Sequence, residues 1–244
     1  MKRMMPVLLM VVLIGWSSVA TAQTTTSSVN YSLVDRGGTT FSTTGGVGAV
    51  TVGYARVQPG GSTAAPAGVA IFGYRANGVL VTEAGVPAMQ AMLSGRTYAE
   101  VNGPINTGLA FANPNSFPVT ISFYFTTQAG ANSNQSSFVL DAGAQTAKFI
   151  DQAPFSVGTT FSGTFTFNAS APVGVISLRG FTNERSEFTI TTQTVATTTA
   201  PSTTPLVMAH FADGAGWKTQ VILVNSSDNL ISGNVQFYGE GSVL

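Results

Sequence analysis

The stretch Thr107-Gly108-Leu109-Ala110-Phe111-Ala112-Asn113 returns as Thr219-Gln220-Val221-Ile222-Leu223-Val224-Asn225. Val119, Ile121, Phe123 and Phe125 return in the same way as Ile231, Gly233, Val235 and Phe237. Every aligned pair is 112 residues apart, so the match runs without a gap. A fixed period means that one supersecondary unit is used more than once, which points to a scaffold or a binding surface. Asn113 and Asn225 should then occupy one structural position, where a strand gives way to a turn and an Asn side chain can bond back to nearby amides.

The units read as β-structure. Phe161, Phe165 and Phe167 alternate with Ser162, Thr164 and Thr166, and Gly163 fills the remaining inward slot. Val119, Ile121, Phe123 and Phe125 alternate with Thr120, Ser122 and Tyr124, whereas residues 173–178 are apolar on both faces and suit a central strand. Turn clusters separate these runs at residues 58–61, 113–116 and 225–228. Residues 87–93 read equally as a turn of helix or a connecting loop. Short strands and turns within such a period predict an all-β chain of tandem immunoglobulin-like antiparallel β-sandwich domains, the last one incomplete. Strands 109–112 and 221–224 are expected to pair antiparallel with 119–125 and 231–237. That register buries Phe123, Phe125, Val235 and Phe237.

A second similarity sets the layout. Ser170-Ala171-Pro172-Val173-Gly174-Val175 resembles Ala64-Ala65-Pro66-Ala67-Gly68-Val69, and an aromatic-rich strand follows each. Residues 23–99 therefore form a first β domain that is the later half of a unit, and residues 100–195 a complete one. Residues 196–205 read as a Thr/Pro linker. Residues 206–244 hold only the opening half of a further unit, so the sequence reads as a fragment, the alternative being that its last strands complete a sheet elsewhere. Alone, that half should be unfolded or aggregated, while residues 100–195 should fold.

Export is written at the N-terminus. Lys2 and Arg3 precede an apolar stretch at residues 7–15, and Ala20-Thr21-Ala22 is a small-x-small cleavage site, so residues 1–22 read as a signal peptide with Gln23 the first mature residue. The stretch falls short of the roughly 20 residues that cross a bilayer, and no membrane span is expected after cleavage. The ten basic and ten acidic residues become eight and ten once Lys2 and Arg3 are removed, a net charge of −2. That balance offers nothing to nucleic acid. Charged residues make up 8% of the chain, so Thr, Ser, Asn and Gln supply the polar surface. With no cysteine, each domain relies on its apolar core.

Candidate chemistry is sparse. His210 with Asp213 lacks a Gly-x-Ser-x-Gly elbow and reads as a strand end before an Asp-Gly turn. One histidine and no cysteine cannot build a zinc site. Carboxylates near Asp213 and Asp228 could serve calcium, although no Asp-x-Asp spacing appears. Glu184 and Glu187 flank Arg185 in a polar turn, where local ion pairing is the simpler reading than glycoside hydrolysis. Residues 45–48 are glycine-rich but lack the Lys of a phosphate loop. No catalytic, cofactor-binding or metal residue is assigned. Trp217, beside Lys218 and near Asp213, is the one candidate ligand platform, for stacking on a sugar; its structural alternative is to open a strand and pack across the end of the sandwich.

Three strings carry a family resemblance: residues 67–72 with 82–87, residues 178–185 (Leu-Arg-Gly-Phe-Thr-Asn-Glu-Arg), and residues 210–217 (His-Phe-Ala-Asp-Gly-Ala-Gly-Trp). They resemble segments of large uncharacterised exported bacterial proteins with tandem immunoglobulin-like repeats, frequent in acidobacteria. The resemblance covers nearly all of the mature chain and implies a secreted or cell-surface, multi-repeat β protein. It carries no activity and no functional residues. The expected role is a non-catalytic structural or adhesive repeat segment with no cofactor, whose candidate partners are cell-surface or extracellular polysaccharide or protein. The alternative is a carbohydrate-binding accessory module of a larger extracellular enzyme. An exposed aromatic row on one sheet face would favour the alternative, and a Thr, Ser and Asn surface without one would favour the structural role.

Overall fold

The computed structural model describes residues 28–43, 49–198, 203–239 and 242–243, and every regular element among them is a strand. The signal segment and residues 45–48 lie outside the described residues. In chain order the strands are β1 (Val69–Ala76), β2 (Val79–Pro87), β3 (Met92–Asn102), β4 (Ile105–Ala112), β5 (Val119–Thr127) and β6 (Asn132–Leu140). They continue as β7 (Gln145–Phe149), β8 (Phe161–Thr182), β9 (Phe188–Gln193), β10 (Ala196–Thr197), β11 (Tyr238–Gly239) and β12 (Ser242–Val243). The chain is all-β and its ladders are antiparallel.

Alternation does what it predicts in β5: Val119, Ile121, Phe123 and Phe125 are buried while Thr120 and Ser122 face water. The same pattern opens β8, which runs on for 22 residues. Its first half lies between β3 and β5, Phe165 opposite both Thr97 and Phe125. Its second half lies between β4 and β9, Leu178 opposite both Gly108 and Thr192. The change falls at Ala171-Pro172, where the register with β3 shifts. Pro172 has no N–H to give a ladder, and an irregularity of this kind bends a strand. One strand thus serves both leaves of a curled sheet, with β10, β3, β5 and β6 around its first half and β4, β7 and β9 around its second.

Aromatic rings fill the space between the leaves. Phe111 of β4 meets Phe167 of β8 at 5.1 Å and Phe138 of β6 at 5.8 Å, both edge to face. Phe155, from the connection after β7, packs on Phe123 and Phe165. Burying each ring contributes about 1.5–3 kcal/mol, and edge contacts add about 0.5–1.5 kcal/mol per pair. With no disulfide, this cluster is the main cohesive element of residues 92–197.

The expected pairing of β4 with β5 does not occur. β4 pairs with β3, β7 and β8, and β5 with β6 and β8. Residues 113–118 therefore carry the chain from one leaf to the other instead of closing a hairpin. Asn113 fixes this crossing: its buried amide donates to the carbonyls of Phe117, Leu140 and Asp141, drawing in the end of β6. Phe123 and Phe125 are buried as expected, but Val235 and Phe237 are exposed. Residues 221–224 and 231–237 join no ladder, because no strand among the described residues lies over them as β8 lies over β4 and β5.

Two boundaries also move. β3 runs through the expected junction at residues 99 and 100 and pairs with β8 on both sides of it, from Ser94 to Val101. The start of the expected linker is β10, which pairs with Gly95 and Arg96. It is held there because Val195 is buried in the core, Thr97 donates its hydroxyl to the Thr194 carbonyl, and the hydroxyls of Ser94 and Thr198 lie 2.6 Å apart. The sheet thus spans residues 92–197 rather than 100–195. Residues 88–91 form a connecting loop.

β1 and β2 form a separate hairpin around Asn77-Gly78, both at positive φ (51° and 79°), as a tight turn between twisted strands requires. β2 lies along β9, where the Ile190 amide donates to the Thr82 hydroxyl and the Thr192 hydroxyl donates to the Gly85 carbonyl.

Candidate functional site

Among the described residues the most deeply buried charged residue is Arg96, which no motif in the sequence marks. Period 2 in β3 turns Ala99 and Val101 inward and puts Arg96 on the outer side of its leaf, in one row with Thr166 and Tyr124. Its guanidinium donates to the Thr166 hydroxyl (2.8 Å), the Tyr124 hydroxyl (3.2 Å), the carbonyls of Asn225 (2.9 Å) and Ser227 (2.8 Å), and an Asp228 carboxylate oxygen (2.8 Å). Burial works against this charge, but the hydrogen bonds it donates to Asp228 and Tyr124 outweigh that and hold the guanidinium above its ordinary pKa. Arg96 thus clamps the 225–228 turn onto the leaf. Arg96→Ala is expected to destabilise the chain by about 1–3 kcal/mol, the scale for hydrogen bonds to a charged group. Amides of residues 225–229 should exchange faster, as read by hydrogen–deuterium exchange.

The turn that Arg96 grips repeats the geometry of the complete unit. Asn113 donates to the Phe117 carbonyl and accepts from the Asn115 amide, while Asn225 donates to the Asn229 carbonyl and accepts from the Ser227 amide. Each partner is 112 residues from its counterpart. Upstream, Thr107 and Glu100 exchange amide, hydroxyl and carbonyl bonds, as do Thr219 and Ala212. The corner matches too: Asn102 faces Ile105 across Gly103 (φ 54°), and Gly214 faces Trp217 across Ala215 (φ 47°). Residues 212–229 therefore fold locally as residues 100–117 do.

Trp217 accordingly sits where Ile105 opens β4. It is 72% exposed rather than packed across an end of the molecule, and Asp213 and Lys218 are exposed beside it. His210 is exposed as well. Asp228, one of the two carboxylates considered for calcium, pairs through Oδ1 with Arg96. Among the described residues no group of three or more His, Cys, Asp or Glu could hold a metal ion.

Glu187 and Arg185 form the expected local pair, at 2.7 Å, with Glu184 exposed alongside. The Asn183 amide and then the Arg185 guanidinium hold the Glu187 carboxyl below its ordinary pKa. A general acid would need the opposite shift. Because the folded pKa is depressed, the pairing is at full strength above the pKa of a free Glu and is lost as pH falls through the lower folded value. Carboxyl titration by NMR should show that depression, and Asn183→Ala should return Glu187 towards the ordinary value.

Two shallow grooves accompany these features. One, of about 180 Å³, lies among Met89, Val175 and Thr192; the other, of about 360 Å³, lies beside Asn106, Asp151 and Phe188. Neither contains a Trp or Tyr.

No family model and no curated protein matches the chain. Among solved structures, one described as Thermotoga maritima 1070 aligns at 11% identity and a TM-score of 0.35, covering 44% of this chain and 95% of that one. A likeness of that size carries no argument about fold or function.

Proposed function

We propose that the chain is a non-catalytic structural or adhesive segment of a secreted or cell-surface protein, built from immunoglobulin-like sandwich units. The observation that carries this reading is the repetition of one hydrogen-bonded frame at a 112-residue interval, since tandem units of one kind make extended scaffolds. The outer face of the β3–β8–β5 leaf supports it. That face exposes Ser122 and Asn168 and half-buries Thr164, its charged Arg96 and Glu100 are buried, and its two tyrosines are engaged, Tyr98 with Ser162 and Tyr124 with Arg96. The β6 edge adds Asn, Ser and Gln. A hydroxyl and amide surface of this kind suits contact with other surfaces better than chemistry on a small substrate. No helix among the described residues is long and apolar enough to cross a membrane. The expected partners are cell-surface or extracellular polysaccharide or protein.

The test is fractionation of the source cells with N-terminal sequencing, joined to an attachment assay. The expected result is a product beginning at Gln23, outside the cytoplasm, whose deletion weakens attachment without changing polysaccharide breakdown. An intact Met1 on a cytoplasmic product would contradict it.

The exposed indole of Trp217 favours a second reading, a carbohydrate-binding accessory module. Affinity electrophoresis through polysaccharide gels separates the two: retardation abolished by Trp217→Ala supports the module, and unretarded migration of the unaltered protein supports the scaffold.

A further inference from the structure

Among the described residues, the open edge of β1 and the unpaired residues 217–224 correspond by the repeat to two strands that pair with each other in the complete unit. In that unit β4 pairs along its whole length with the second half of β8, from Ile105 opposite Phe181 to Ala112 opposite Gly174. The 112-residue repeat places residues 217–224 where β4 would be, and among the described residues no strand pairs with them. Gly174-Val175 has its own counterpart in Gly68-Val69, which makes β1 the counterpart of the second half of β8. β1 pairs with β2 on one edge, and among the described residues its other edge has no partner.

We propose that β1 of one copy adds antiparallel to residues 217–224 of a second copy, repeating the β4–β8 ladder between molecules. The register follows from the two equivalences. Phe111 opposite Val175 becomes Leu223 opposite Val69, and Leu109 opposite Ser177 becomes Val221 opposite Ile71. Leu223, Val69 and Ile71 are 67%, 60% and 63% exposed, and the pairing brings them onto one face. At the far end, Arg75 comes opposite Trp217, a guanidinium against an exposed indole, which is a favourable charge–ring pairing. An edge strand with this much apolar surface is a template for another chain. Because donor and acceptor surfaces differ, the contact is head-to-tail, and repetition gives an open filament or a closed ring. The inference rests on the repeat and on the scaffold reading, but not on where the protein acts.

The absence of cysteine makes the register directly testable. Directly opposite residues on antiparallel strands are about 4.5–5.5 Å apart at Cα, within the range a disulfide bridges. Exported chain carrying Val69→Cys is mixed with exported chain carrying Leu223→Cys and oxidised. The expected product is a disulfide-linked dimer of doubled mass, while either variant alone, or Ala70→Cys mixed with Leu223→Cys, stays monomeric. Ala70 points to the other face, so it reports the register rather than mere proximity. A chain carrying both Val69→Cys and Leu223→Cys should give a ladder of multimers. Absence of the mixed dimer, equal dimer in the controls, or an internally bridged monomer from the double variant would each overturn the proposal. Failure of the attachment assay would leave this result unchanged, so the two readings fail separately.

Discussion

Phe165→Ala is expected to cost about 3–5 kcal/mol, the range for removing a buried aromatic side chain. Phe165 is fully buried at the centre of the ring cluster, with Phe125 at 5.3 Å, Phe155 at 5.4 Å, Phe123 at 5.6 Å, Phe111 at 6.2 Å and Phe167 at 6.4 Å. These rings come from both leaves, so the cavity would open between the sheets and neither leaf could close it without breaking its own ladder. Against a total stability of about 5–15 kcal/mol for a typical domain, such a loss leaves a marginal fold. The comparison is Phe237→Ala. Phe237 is the counterpart of the buried Phe125 but is 41% exposed, so its loss should cost under about 1 kcal/mol. Urea denaturation of the two variants measures the difference, and equal losses would mean that the terminal segment belongs to the core.

Gly163→Ala should also be clearly damaging although it adds a single methyl group. Gly163 lies in β8 between Ala99 and Thr127, and a Cβ there would run into the carbonyl oxygen of Thr126 and come within 3.0 Å of the Phe161 ring. The obstacle is backbone, so relief requires β5 to move away from β8 and give up ladder bonds. Overpacking of this kind costs about 1–3 kcal/mol. Gly108→Ala is the matched control, since its Cβ would meet nothing nearer than a Phe149 ring carbon at 3.5 Å, an ordinary contact. Denaturant midpoints should fall sharply for Gly163→Ala and hardly at all for Gly108→Ala.

The inward slot of Gly163 was legible in the sequence because period 2 depends on backbone geometry alone, and so was the shared position of Asn113 and Asn225. The pairing of β4 was not legible. An Asn-Pro-Asn-Ser cluster reverses the chain whether the next strand joins the same leaf or the facing one, and alternation looks identical in either case. Only the buried Asn113 amide, reaching carbonyls 27 and 28 residues away, commits the turn to a crossing. The length of β8 was hidden for a similar reason, since Ala171-Pro172 looks like a strand end and is in fact a bend. The role of Arg96 was not legible because its partners lie 28, 70 and 129 to 132 residues downstream, and no local pattern links them.

The claim on which the account depends is that residues 206–239 are the opening half of the same unit as residues 92–127. The most direct test fuses a second copy of residues 128–197 behind Gly239, supplying the strands that β6 to β10 provide in the complete unit. Hydrogen–deuterium exchange is then compared at Val221, Leu223 and Phe237, which are at present outside any ladder, and at Leu109, Phe111 and Phe125. The account predicts that protection at the first three rises to match their buried counterparts and that a second cooperative unit forms. Unchanged rapid exchange at Val221, Leu223 and Phe237 would contradict it.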